Sequence, residues 1–169
     1  MWDARRILKE LADESKRKLI LTDFWKFSDD QTKALAIIGL ARSLHFRDET
    51  IRKMPLQKKA ELLASRIGAR EFEEMMEAAL MLYHTHEANE MMGAFLDLWT
   101  IPHQNGSIES DDYKPPVEGQ VRDAVRQLEG YYDKKDIALY LASVGLLMGE
   151  EWRKATWPVV DELVPSSLS

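Results

Sequence analysis

No stretch of this 169-residue chain alternates apolar and polar residues over the roughly four to eight positions that a half-buried strand needs. Apolar residues recur instead three and four apart, between residues that start and stop helices. The pattern predicts an all-α fold, a compact helical bundle of about six or seven helices forming one domain over residues 1–169.

The helix signals run in order along the chain. Asp3 can cap a first helix carrying Ile7, Leu8, Leu11 and Ser15, which leads into LILTDFW. Ser28 to Gln31 has the S-x-x-Q form of a capping box and opens TKALAIIGLARSLHF, apolar on nearly every side and so expected at the centre of the bundle. Asp48 caps a short turn ending at Met54, and Pro55 starts PLQKKAELLASRI, with Gly68 as its stop. A long helical pattern runs from Arg70 towards Trp99. Residues 101–116, IPHQNGSIESDDYKPP, read as the one clear loop. A helix is expected from Val117 to about Leu128, and another from Asp133 or Asp136 through IALYLASVGLLMGEEW. TWPVVDELV reads as a short helix started by its proline, before a flexible tail at 165–169.

Short recurrences suggest two pseudo-repeated halves, 1–73 and 74–160. Asp23-Phe24-Trp25 returns as Asp97-Leu98-Trp99, Lys58-Lys59 as Lys134-Lys135, and LAS at 63 as LAS at 141. A helical repeat would give that pattern.

Composition excludes several function classes. The chain has no cysteine, which rules out disulfides, thiol nucleophiles, iron–sulfur clusters and Cys-ligated zinc. Its net charge is −6, and acids interleave with bases even in RRILKELADESKRK. Nucleic acid and anionic membranes are therefore not expected partners. The N-terminal segment lacks the apolar core of a secretory signal, and the run from Ala138 to Gly149 falls short of the ~20 residues that cross a bilayer. A soluble, cytoplasmic protein is the expectation.

One segment could carry chemistry: HTHEANE, residues 84–90. Were 70–99 a single helix, each residue would advance ~100°. Phe72, Met75, Met76, Ala79 and Tyr83 would then share a face that His86, Glu90 and Asp97 continue, while Met91, Phe95, Leu98 and Trp99 have rotated away. The segment therefore marks a change of buried face, a kink or a break. If it is solvated, His86 and Glu90 form an ordinary i, i+4 surface pair. If it points inward, His86 and Glu90 are candidate ligands for a divalent metal such as zinc, with His84, Glu87 and Asp97 as further ligands or general base.

Known metal motifs come close and fail. HEANE is one residue from the zincin H-E-x-x-H, with Glu90 in place of the second histidine. His84, His86 and Asp97 share a spacing with JAMM-type isopeptidases, but Ala94 replaces the serine and Glu87 follows the second histidine. In one helix His84 and Asp97 would stand roughly 16–20 Å apart. No Glu precedes a His by three, so the di-iron signature is absent. In the 101–112 loop, Ile101 and His103 occupy positions where a calcium loop needs hard oxygen ligands, so Asn105-Gly106 reads as a tight turn. No nucleophile elbow, P-loop or dinucleotide fingerprint is present.

These features predict a non-enzymatic module that presents a helical groove, or the 101–116 loop, to a protein partner. It needs no cofactor, and self-association is compatible with the same surfaces. The eight methionines and five tryptophans, Trp2, Trp25, Trp99, Trp152 and Trp157, supply core and interface bulk. The runner-up is a metal-dependent hydrolase centred on His86 and Glu90. A small-molecule pocket between the Met-rich helix and ALAIIGLA is a third reading.

Overall fold

A computed structural model describes residues 1–165, so the tail expected at 165–169 lies, from 166 on, outside the described residues. Among them are ten α-helices, more than the six or seven expected: α1 Ala4–Glu10, α2 Glu14–Phe27, α3 Asp30–Leu44, α4 Asp48–Arg52, α5 Leu56–Ala64, α6 Glu73–His86, α7 Asn89–Leu98, α8 Glu118–Leu128, α9 Lys134–Leu147 and α10 Glu150–Leu163. A 3-10 turn, Arg70–Phe72, precedes α6, and two two-residue strands, β1 His103–Gln104 and β2 Ser107–Ile108, form an antiparallel hairpin. The fold is all-α. None of the described helices is long and apolar enough to cross a membrane.

The extra helices arise where long patterns are interrupted by caps. Asp3 caps α1 as expected, accepting from the Arg6 N–H at 2.8 Å, but Asp13 then caps a separate α2 through the Lys16 N–H at 2.7 Å. The start of α3 lies one residue beyond the capping box read from the sequence. Asp29, not Ser28, is the cap, and its carboxylate accepts from the Thr32 N–H at 2.6 Å, while Ser28 ends α2. Arg47 precedes α4 without a side-chain cap, and α5 stops at Ala64, short of Gly68. Gly149, at φ +105°, ends the run expected to continue through GEEW, because only glycine, which lacks a Cβ, adopts that backbone geometry at little cost. Pro158 lies inside α10 rather than at its start. The buried face Trp152, Ala155, Thr156, Val159 and Val160 runs past it, so the helix continues although Pro158 offers no N–H to the Lys154 carbonyl.

The chain forms two units: Asp13–Tyr83, and Met1–Ala12 together with the chain from His84 onward. Within Asp13–Tyr83, α2 lies against α5, and α3 against α4 and the 3-10 turn. The buried side chains there include Ile20, Leu21, Phe24, Trp25, Leu40, Leu63 and Phe72. The helix expected at the centre, α3, buries Ala36, Ile37, Leu40 and Ala41 but exposes Leu35 and Ile38.

In the other unit α9 is the enclosed helix. Every residue from Ile137 to Ser143 is buried, with α10 and α1 against it. Here a glycine sets the packing distance. A Cβ on Gly145 would stand 2.7 Å from the Thr156 hydroxyl and overlap the Trp157 indole, whose N–H donates to the Ala142 carbonyl at 3.1 Å.

Gly145→Ala is therefore expected to destabilise the protein by about 1–3 kcal/mol in chemical denaturation, the usual cost of overpacking, although alanine is the better helix former. At the other end of the scale, hydrogen bonds from Thr32 hold the Asp29 carboxyl below its ordinary 3.8. Its capping contribution is thus present above pH 3.8 and disappears as pH falls through the lowered value. Asp29→Ala should lower the melting temperature at pH 7, and its gap from wild type should close in acid.

Candidate functional site

The residues singled out in the sequence lie around a helix break. α6 ends at His86, and α7 begins at Asn89 after Ala88 adopts φ −117° and ψ 20°. Thr85, His86 and Asn89 are indifferent helix formers. The break also resets the phase of the apolar stripe, so Met76, Ala79, Leu80 and Tyr83 are buried on one helix and Met91, Phe95, Leu96 and Trp99 on and just after the next. A single helix from 70 to 99 would have turned one of those sets toward water.

The break separates the candidate ligands by environment. His84 is buried, its ring centroid 5.7 Å from that of Tyr140, whereas His86 and Glu87 are exposed at the end of α6. Glu90 is exposed in the first turn of α7, where the helix dipole favours a carboxylate. Burial raises the Tyr132 phenol above its ordinary value, and the Glu90 charge raises it further. Among the described residues, no group of three or more His, Asp and Glu side chains is placed to hold one metal ion.

Asp97 has a different partner from those expected. Its Oδ1 lies 2.7 Å from His103 Nε2, and the Gly106 N–H donates to His103 Nδ1 at 3.1 Å. Because Nδ1 accepts, the imidazole proton sits on Nε2 and is given to Asp97. Both ring nitrogens are engaged, and the pair acts as a clamp. It fastens the hairpin to α7. Asn105 (φ 52°) and Gly106 (φ 87°) are both left-handed, as a two-residue type I′ turn requires. Gly106 is also pressed against α7, where an added Cβ would meet the Asn89 carbonyl at 2.9 Å. Gly93 leaves room for the imidazole, since a Cβ there would stand 3.0 Å from His103 Cε1.

A chain of rings continues from this region into the core. Tyr140 contacts Phe95 at 5.3 Å, Phe95 contacts Trp99 at 5.2 Å, Trp99 contacts Trp152 at 5.8 Å, and Trp152 contacts Tyr113 at 6.1 Å. The Trp152 indole donates to the Tyr113 hydroxyl at 3.2 Å, and the Trp99 indole to the Gln120 carbonyl at 3.3 Å. Two of the aromatic residues considered as interface anchors thus hold the 101–116 loop and α8 in place.

The concave surfaces within Asp13–Tyr83 lie elsewhere than between the Met-rich helix and ALAIIGLA. Between α2 and α5 runs a groove of about 480 Å³ bordered by Ser15, Lys18, Leu19, Thr22, Lys26, Leu56 and Gln57. A cleft of about 330 Å³ is lined by Trp25, Asp30, Lys33, Ala34, Ile37, Arg52 and Lys59. Trp25 and Ile37 are buried and still form part of a cleft wall, and nothing in a helical period shows where two helices splay. Asp23, wholly buried beside Phe24, was also missed; its position inside ILTDFW was the available signal. Compared with protein-family models, with curated proteins and with solved structures, the chain finds no significant match in any of the three.

If His103 is the clamp, His103→Ala removes two hydrogen bonds and frees the hairpin from α7. The Gly106 amide should then exchange with solvent about tenfold faster or more, read by hydrogen exchange, while amides in the middle of α9 keep their protection.

Proposed function

We propose that the protein is a non-catalytic binding module whose α2–α5 groove receives an amphipathic segment of another protein. The observation that carries this reading is the character of the groove. Leu19, 37% exposed, and the half-buried Leu56 offer apolar surface, and Lys18 and Lys26 stand at its border. The opposite face of α2 is spent on the core through Ile20, Leu21 and Phe24, and Leu19 stands outside that face. Two helices with apolar surface between them and charge at the edge suit a helix-in-groove mode of recognition.

Charge favours an acidic visitor. Asp13–Tyr83 carries thirteen Lys and Arg against twelve Asp and Glu, whereas the rest of the chain carries ten against seventeen. The groove therefore belongs to the more basic part of an acidic protein. Glu61 lies 3.8 Å from the Lys18 ammonium and is well exposed, a contact that costs little to exchange. The 101–116 loop is the weaker candidate for presentation, because the His103 clamp and the Tyr113–Trp152 contact commit its side chains to the fold.

Panning a displayed library of random 16-residue peptides against the protein, and against Leu19→Glu, tests the reading. Retained peptides are expected to share apolar residues three and four apart with acidic neighbours, and to bind Leu19→Glu about tenfold more weakly or worse. Retention indifferent to Leu19→Glu, or no enrichment at all, overturns it. Leu19 is partly exposed, so the variant keeps the fold.

A further inference from the structure

The cleft beside Trp25 shares no lining residue with the α2–α5 groove, and its chemistry is different. Three of its seven lining residues, Lys33, Arg52 and Lys59, are cationic, and one, Asp30, is acidic. Among the described residues none of the three cations has a carboxylate within ion-pairing distance, although acids outnumber bases in the chain as a whole. Like charges gathered in one recess repel each other, and a bound anion relieves that repulsion.

A second observation stands apart from charge. Trp25 is 3% exposed, forms part of the cleft wall, and has a buried indole N–H with no hydrogen-bond partner. A buried donor left unmade is costly, and native chains rarely leave one so. The Lys59 ammonium lies 5.3 Å from the centre of the same indole ring. The site thus sets three charged donors beside Trp25, whose indole N–H has no partner, and the apolar surface of Ala34 and Ile37.

We propose that this cleft binds a small organic phosphate ester. Lys33, Arg52 and Lys59 would hold the doubly charged phosphate, Arg52 by the bidentate geometry that suits it, and the organic part would lie against Trp25, Ala34 and Ile37. Asp30 is placed to accept from a hydroxyl or amine of that part. A volume of about 330 Å³ sits at the small end of ligand sites and suits a metabolite rather than a polymer. The proposal goes beyond the protein-binding groove and does not depend on it.

Trp25 is the sole tryptophan between Asp13 and Tyr83, and the chain has five, so an ¹⁵N-labelled sample gives five indole N–H signals. Trp25→Phe identifies the relevant one. Phenyl phosphate, inorganic phosphate, phenol and sodium chloride are then titrated separately at matched ionic strength. The expected result is a saturable shift of the Trp25 signal with phenyl phosphate and a weaker one with inorganic phosphate. Phenol and chloride should leave it in place. Lys33→Gln and Arg52→Gln, both at surface-accessible positions, should each weaken phenyl phosphate about tenfold or more with an unchanged melting temperature. An unmoved signal, an equal response to chloride, or unaltered affinity in both variants overturns the proposal. So does a phosphoserine peptide that shifts the signal where phenyl phosphate does not, which would assign the cleft to a protein partner. Peptides selected on the groove are read out through Leu19→Glu, so the two readings fail independently.

Discussion

Enclosure of α9 is the constraint on which its unit depends. A helix buried from Ile137 through Ser143 has no face for water, so neighbours must surround it. α10 and α1 lie directly against it, and α8 packs on α10. Its polar groups are settled internally. The Ser143 hydroxyl donates to the Leu139 carbonyl at 2.7 Å, and burial raises the Tyr140 phenol well above its ordinary value, so that ring stays neutral. Tyr140 then begins the run of aromatic contacts that ends at Tyr113, and through it one buried helix fixes the end of α7, the start of α10 and the loop between α7 and α8. Each large side chain buried in this enclosure contributes on the order of 1.5–3 kcal/mol.

The fold class was legible because helical periodicity is local. Asp3, Asp133 and Val117 stand at the helix starts expected of them, for the same reason: a cap is a matter of a few consecutive residues. Helix number was less legible. Asp13, Ala88 and Gly149 each divide a pattern that runs on in the sequence, and only the competition between continuing a helix and burying its stripe decides where it stops. The choice of α3 over α9 as the enclosed helix fails for a related reason. ALAIIGLA is apolar all round, yet Leu35 and Ile38 reach water because no neighbour covers that side. Apolarity permits burial, and topology grants it.

The chemistry-bearing residues show the same division. His84, His86, Glu90 and Asp97 were picked out by type and spacing, but spacing becomes geometry only if the helix is unbroken. Asp97 finds His103, six residues on in the first strand of the hairpin, a partner that the hairpin signal in the sequence could have supplied. The recurrence of Asp23-Phe24-Trp25 as Asp97-Leu98-Trp99 covers unlike roles: Asp23 is buried and Asp97 exposed, and Trp25 lacks the acceptor that Trp99 finds in the Gln120 carbonyl. Lys33, Arg52 and Lys59 come from three different helices and carry no common motif, so their convergence was invisible in one dimension.

The chain's first dozen residues belong with its last helices. The Trp2 indole donates to Asp161 at 3.0 Å, across a separation of 159 residues, and α1 lies against α9. On the ribosome this sets an order of events. Asp13–Tyr83 is contiguous and emerges with every residue it needs, whereas Trp2, Ile7, Leu8 and Leu11 must remain uncovered until α9 and α10 have been made. At roughly 5–20 residues per second, that sticky leading segment waits many seconds in the open before its seat exists. A chaperone that holds nascent chains would find that segment uncovered throughout this interval, and a chain stopped before α9 would hold α1, α7 and α8 without the helix that their unit encloses.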